Sequence, residues 1–339
     1  MGKSTTAKRA AGRLKNMTPG RERTTKRRKG FRQKKNDFLL PKLICVIFLS
    51  ALNCFAQNNV FTPQPVDFLP IQISLQKQIQ TGSTEERRDA LAQIRNLQTE
   101  TASRIAVSAL KDSSEIVRAS AAFAVIFLPK DEAARNLLPL LTDKKTLVRR
   151  EAAYALGKVG NPIAINSLIK VLQKDKIPEV RNAAVVALGE IGDESAISEL
   201  VKILQRKPQT KEEFTRRSAA RSVGQIAQII QTGKTKVITP ENFPPVESKT
   251  IEKPNYSKLA ESAPVFHPAI SILIQVLQNR LEFPDVRREA AFALGEIGDE
   301  SAVPVLQANL KDADYYLAEI CRESLRKIAV YAEYAKIKE

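Results

Sequence analysis

The chain is 339 residues long and carries a formal charge of +17, with one histidine and three cysteines. One histidine rules out a histidine-rich iron site, and with Cys45 and Cys54 in the apolar run and junction described below, only His267 and Cys321 remain for a Cys/His zinc site, too few to build one. The charge is unevenly placed: residues 1–42 hold 15 Lys or Arg against Glu22 and Asp37, so this head carries +13 of the total and the rest only +4.

The head has few large apolar residues and no period, which predicts disorder in isolation. An uncharged run of ten residues, LICVIFLSAL from Leu43 to Leu52, follows, then Asn53-Cys54-Phe55-Ala56 and a polar change at Gln57. Positive, apolar, small is the order of a secretory signal, with cleavage expected between Ala56 and Gln57. The head is long for such a signal, so Met17 is an alternative start. An uncleaved anchor is a second alternative and an internal apolar segment a third, although a spanning helix needs about 20 apolar residues.

Three other readings of this region are weaker. Arg27-Arg28 lacks the preceding Ser or Thr of a twin-arginine signal, and Phe31 falls one position late. A lipid-bearing Cys54 would want a small residue where Asn53 stands. Clustered Lys and Arg suit phosphate, yet a nucleic-acid partner is disfavoured. The apolar run follows at once, and only Phe31 and Phe38 interleave the charges.

Beyond the signal, residues 57–84 form an extension: three prolines (Pro63, Pro65, Pro70) predict irregular chain, and 71–80 reads as an amphipathic helix capping the first repeat. Residues 85–231 are repeats. The clearest unit, VRREAAYALGKVGNPIAINSLIKVLQKD from Val148 to Asp175, recurs as VRNAAVVALGEIGDESAISELVKILQ from Val180 and VRREAAFALGEIGDESAVPVLQANLKD from Val286. Ala152, Ala153, Ala155 and Leu156 lie at helical spacing with Val148, a seam of small residues for close packing. Gly157 and Gly160 are read as helix terminators, and Asn161-Pro162 as cap and first residue of a second helix. Asp193 and Asp299 take the cap position in later copies. Ala164, Leu168, Ile169 and Leu172 give the second helix one apolar stripe.

One hairpin of about 30 residues cannot bury both stripes, so neighbours must stack. The columns agree: an arginine recurs at Arg87, Arg118, Arg149, Arg181, Arg216 and Arg287, and a leucine at Leu110, Leu141, Leu172, Leu204, Leu277 and Leu310. A last half unit from Tyr316, through Leu317, Cys321, Leu325 and Ile328, replaces the arginine by Ala318 and the glycine by Arg326, as suits a capping helix. Cys321 aligns with the packed alanine seam and reads as a small buried residue.

The pattern VRREAAxALGxIGDESA followed by an LxxxL helix resembles the HEAT-like repeats of the phycobilisome-lyase type, from about Glu85 to Ile328. The resemblance implies an all-α, right-handed α-solenoid of about six to seven two-helix repeats, whose second helices line a concave surface used mainly for protein contacts. Enzymes occur among such proteins. HEAT-like deoxyhypusine hydroxylases hold two irons with repeated His-Glu pairs, and no His-Glu pair occurs in this sequence. Phycobilin lyases handle a tetrapyrrole on a partner protein, a role that sits poorly with a secretory signal.

The fifth repeat is interrupted. Residues 232–267, with Pro240, Pro244, Pro245, Pro254 and Pro264, show no helical period and predict a long surface loop, functional or disordered. Residues 268–339 resume the repeats and the cap.

No catalytic constellation emerges, and no cofactor is expected. The one histidine, His267, precedes Pro268 and suits a helix start. Glu151, Glu190, Glu289 and Glu296 recur with the repeat and predict ion pairs between hairpins or a solvated face. What remains is the second-helix surface: Lys170, Lys202 and Gln275 share one exposed column, Gln173, Gln205 and Gln278 the next. This polar ladder can hydrogen-bond an extended or helical segment; a plain solvated face is the alternative. The sequence thus reads as an exported scaffold for protein partners in the periplasm or cell envelope, touching membrane only if the signal is uncleaved. An enzyme-associated role remains the alternative function.

Overall fold

The computed structural model describes residues 68–233 and 259–338. Of its two units, 1–66 and 67–339, the first lies outside the described residues, with the basic head, the apolar run and the Ala56–Gln57 junction; so does the stretch 234–258.

Every regular element among the described residues is helical. A leading helix α1 (Phe68–Thr81) precedes four hairpins: α2/α3 (Thr84–Leu97, Glu100–Ala106), α4/α5 (Glu115–Ala124, Lys130–Leu137), α6/α7 (Thr146–Val159, Ile165–Lys174) and α8/α9 (Pro178–Ile191, Ile197–Leu204). The fifth is α10 (Glu213–Thr232) with α12 (Phe266–Gln278), and the short α11 (Leu259–Ser262) lies between them. Then come α13/α14 (Pro284–Ile297, Val303–Ala308) and the last helix α15 (Tyr315–Lys338). First helices pack on first helices in the order α2, α4, α6, α8, α10, α13, α15. This is an all-α solenoid, and its core is a continuous strip running from Leu75 to Ile328.

Local chemistry sets the hairpin turns. Gly160, Gly192 and Gly298 end first helices at φ +65°, +78° and +78°, a left-handed conformation that costs glycine nothing. The next residue caps the following 3₁₀ turn: Asn161 accepts from the Ile163 amide, Asp193 from Ser195 and Asp299 from Ser301. Pro178 and Pro284 sit at the first positions of α8 and α13, where a missing N–H is harmless.

The other glycine of each pair does something different from the expectation. Gly157 lies inside α6 and terminates nothing. A Cβ built on it would stand 2.8 Å from the Ala187 Cα on α8. Gly224 meets the Ala293 Cα at 2.9 Å and Gly295 the Ser324 Cα at 2.7 Å in the same way. At this glycine column successive first helices approach closely, which lets the alanine seam (Ala152, Ala153, Ala155, all fully buried) mate with the next layer.

The interruption is shorter than 232–267. Thr232 closes α10, Leu259–Ser262 is helical, and α12 begins at Phe266. Leu259, Ala260, Ala263 and Phe266 are buried in the common core. Apolar residues at helical spacing explain this, and Pro264 among them obscured the period. Across the insertion the Arg216 guanidinium on α10 grips Glu282 just beyond α12, with both side chains buried. At the end of the stack, Leu317, Ile320, Cys321 and Ile328 bury one face of α15. Burial pushes the Cys321 thiol up to about 12, so it is a packing residue.

Candidate functional site

Two polar surfaces are built on this stack. The first is the second-helix ladder. Lys170 and Gln173 on α7, Lys202 on α9, Gln205 at its end, and Gln275 and Gln278 on α12 are all exposed. Glu199 ties two neighbouring second helices together: the Gln173 side-chain amide donates to it at 2.9 Å and the Lys202 ammonium at 2.6 Å. The Lys202 bond, aided by that of Gln173, holds the Glu199 carboxyl below its ordinary value. The ladder is thus a cross-braced strip that keeps donors and acceptors toward solvent.

The second surface is the arginine column. Arg118 turns its Nε and Nη2 to Asp143 at 2.8 and 3.0 Å, and Arg149 grips Asp175 at 2.7 and 3.1 Å. Each acid lies at the end of the same hairpin, 25 or 26 residues on. Arg87 pairs with Asp112 and Arg287 with Asp312, both at 3.0 Å. The column also links hairpins, since the Nη1 of three of its arginines reaches back to the backbone of the preceding acid. Arg118 donates to the Asp112 carbonyl at 2.7 Å, Arg149 to Asp143 at 2.9 Å and Arg181 to Asp175 at 2.9 Å. Planar forks on planar carboxylates are the strong form of ion pair.

Electrostatics follow from this geometry. Burial pushes Asp143 and Asp175 upward, but the arginine bonds, the Lys145 and Ile177 amides and the cationic field together outweigh it, leaving both carboxyls below their usual value. At Asp312 the Asp314 amide leads and the arginines add to it, again lowering the carboxyl. The arginine column was legible in the sequence; its acidic partners were not singled out, although an Asp recurs at fixed distance.

The expected inter-hairpin ion pairs form at three of the four glutamates. Lys158 bonds Glu190, Arg221 bonds Glu289 and Lys327 bonds Glu296. Glu151 differs, accepting from its sequence neighbour Arg150 at 2.6 Å. Between α10 and α13 the contacts form a polar seam that deepens along the helices: Arg217 to Asp285 at 3.1 Å, partly exposed, Arg221 to a buried Glu289, and the buried Gln231 side chain to the Glu296 carbonyl at 2.8 Å. Burial dominates there and raises both Glu289 and Glu296 despite their cations. His267 is exposed in the first turn of α12, where its carbonyl accepts from Ser271. No group of three or more metal-ligating side chains occurs among the described residues.

The HEAT repeat family matches residues 103–186 and 165–238, and the PBS lyase HEAT-like repeat family matches 286–312. Residues 103–238 and 286–312 are HEAT repeats. The chain is similar to deoxyhypusine hydroxylase of Schizosaccharomyces pombe, 45% identical over 74 residues, which is 22% of this chain and 21% of the relative. It therefore spans about a fifth of that curated relative's length. Among solved structures it is similar to human deoxyhypusine hydroxylase in complex with glycerol (19% identity, TM-score 0.33, 77% of this chain and 96% of that one). It is also similar to the CpcE–CpcF complex of phycocyanin lyase from Nostoc sp. PCC7120 (21% identity, TM-score 0.42, 78% and 93%).

Proposed function

We propose that this HEAT-repeat chain is an exported scaffold that binds a protein partner along its second-helix face. The observation that carries the reading is the ladder itself. Its six side chains are exposed on three helices of one rigid stack, and the Gln173–Glu199–Lys202 link holds two of those helices in register. A solvated face needs no such brace, whereas a docking strip gains from side chains fixed before the partner arrives. Export rests on the order of basic head, apolar run and the Ala56–Gln57 junction. The hydroxylase and lyase activities of similar proteins are not carried over, because the stretch shared with the curated relative is 74 residues.

The test joins two measurements in the native host. Intact mass and N-terminal sequencing should find a soluble chain starting near Gln57, and cross-linking should capture a discrete protein that a Lys170→Glu/Lys202→Glu variant with Gln173, Gln205, Gln275 and Gln278 changed to Ala no longer captures. A full-length chain in the membrane fraction contradicts export. Equal capture by the variant contradicts the ladder as the docking face.

A further inference from the structure

The arginine column breaks once. Arg181 is anchored like its sisters, its Nη1 donating to the Asp175 and Lys176 carbonyls at 2.9 and 3.1 Å. Those two bonds match the Arg118 Nη1 on the Asp112 and Ser113 carbonyls at 2.7 and 3.0 Å. In Arg118 and Arg149 the opposite edge, Nε with Nη2, then closes on an aspartate at the end of the hairpin. For Arg181 that aspartate is missing. Lys207 follows Leu204 by three residues, as Asp175 follows Leu172, so a cation stands at the acid's register position. The Arg181 Nε and Nη2 meet no carboxylate among the described residues, and the side chain is only half-buried.

The surroundings favour an anion. Lys174, Lys176, Arg206 and Lys207 are exposed at the ends of the same two hairpins. Of the nearby acids, Asp175 is held by Arg149 and Glu212 lies 3.7 Å from Arg206; Glu179, two residues before Arg181, is exposed. The open fork also lies close along the chain to the ladder, eight residues after Gln173 and in the same hairpin as Gln205.

We propose that Arg181 is a receptor for one Asp or Glu side chain of the protein partner, taking the two carboxylate oxygens on Nε and Nη2 as Arg118 and Arg149 take Asp143 and Asp175. The inference rests on the scaffold reading and gives the partner a chemistry: an acidic segment that crosses the ends of α7 and α9. A side-chain carboxylate is favoured over phosphate because the same fork, its Nη1 held by the backbone of the preceding hairpin's end, binds a planar carboxylate in the two preceding repeats.

The test uses the full chain and a hexa-aspartate peptide, read by NMR at the Arg181 Nε–H signal, which is assigned by its loss in R181Q. The signal is expected to shift and saturate with the aspartate peptide, to stay still with a hexa-asparagine peptide, and to respond far less to inorganic phosphate. At that saturation, R181K should bind the peptide at least about tenfold more weakly near Lys176 and Lys207, since lysine lacks the fork. An Arg181 signal that ignores the aspartate peptide, or that phosphate shifts equally, overturns the receptor. The basic head cannot mimic the result, because the readout belongs to one side chain. Failure here leaves the cross-linking test of the scaffold untouched, and failure of that test leaves this shift standing.

Discussion

The second and third hairpins and the fourth and fifth solve the same packing problem with different electrostatics. In the former, arginines with side-chain exposures of 9% (Arg118) and 16% (Arg149) grip aspartates whose carboxyls lie below their ordinary value. In the latter, the clamp opens at Arg181, and the next one, Arg216 with Glu282, sinks into the core with side-chain exposures of 2% and 0%. A long insertion lies inside that second hairpin, so its two helices lack the short turn that fixes their sisters. The difference suggests a division of labour: where a turn closes the hairpin, the clamp is an addition, and where no turn does, a buried clamp substitutes for it.

The strongest way to break this contrast is Glu282→Ala. It leaves a fully buried guanidinium without its acid, and removing one partner of such a pair costs about 3–5 kcal/mol. Urea unfolding of the variant should show that loss, with the fifth hairpin's amides exchanging first. A loss under about 1 kcal/mol would mean that the α10–α12 pairing does not depend on the clamp.

Deletions sharpen the same point. Removing 234–258 spares every described residue of the core and should leave the melting temperature within a few degrees. Extending the cut to Ala263 strips the buried Leu259, Ala260 and Ala263, and one buried leucine alone contributes about 1.5–3 kcal/mol. Equal stability of the two deletions would remove α11 from the core.

Asp175→Asn should cost about 2 kcal/mol at neutral pH, because Arg149 and Asp175 are mostly covered and bidentate. The sign with pH is fixed by the lowered carboxyl. Its contribution is full above the unfolded value, 3.8, and is lost as pH falls through the lower folded value. The gap between wild type and variant should therefore close in acid. Glu289 and Glu296 run the other way: their raised carboxyls favour the folded state below about 4.5, and that advantage disappears as pH rises through their folded values. Denaturation midpoints from pH 3 to pH 7 separate the two behaviours, and parallel curves for wild type and Asp175→Asn would contradict the clamp.

How much of the molecule was legible in the sequence differs by element. The hairpin period, the caps at Asn161, Asp193 and Asp299, and the turn at Gly160 follow from chemistry within a few residues, so pattern alone finds them. The aspartates of the clamps were missed because their partners lie 25 or 26 residues away, a separation that only the folded hairpin closes. Gly157 does not terminate its helix for a related reason: inside a helix a glycine looks like a weakness until the neighbouring helix that needs the space is known. The exposed ladder was found from spacing, while its brace through Glu199 belongs to the tertiary structure.

The smallest expected effect bears most directly on the comparison. Arg149→Gln breaks a closed clamp and should lose about 1.5–3 kcal/mol, whereas Arg181→Gln gives up only two bonds to backbone carbonyls, one part-buried and one exposed, and should cost about 0.5 kcal/mol or less. The same side chain in the same register then contributes stability in one hairpin and very little in the next. If chemical denaturation gives the two variants equal losses, Arg181 has an intramolecular acid after all and the column is unbroken. If the losses differ as expected, an arginine held by two carbonyls at little benefit to the fold is a residue whose open edge faces outward, and the fourth hairpin is where the stack has binding capacity to spare.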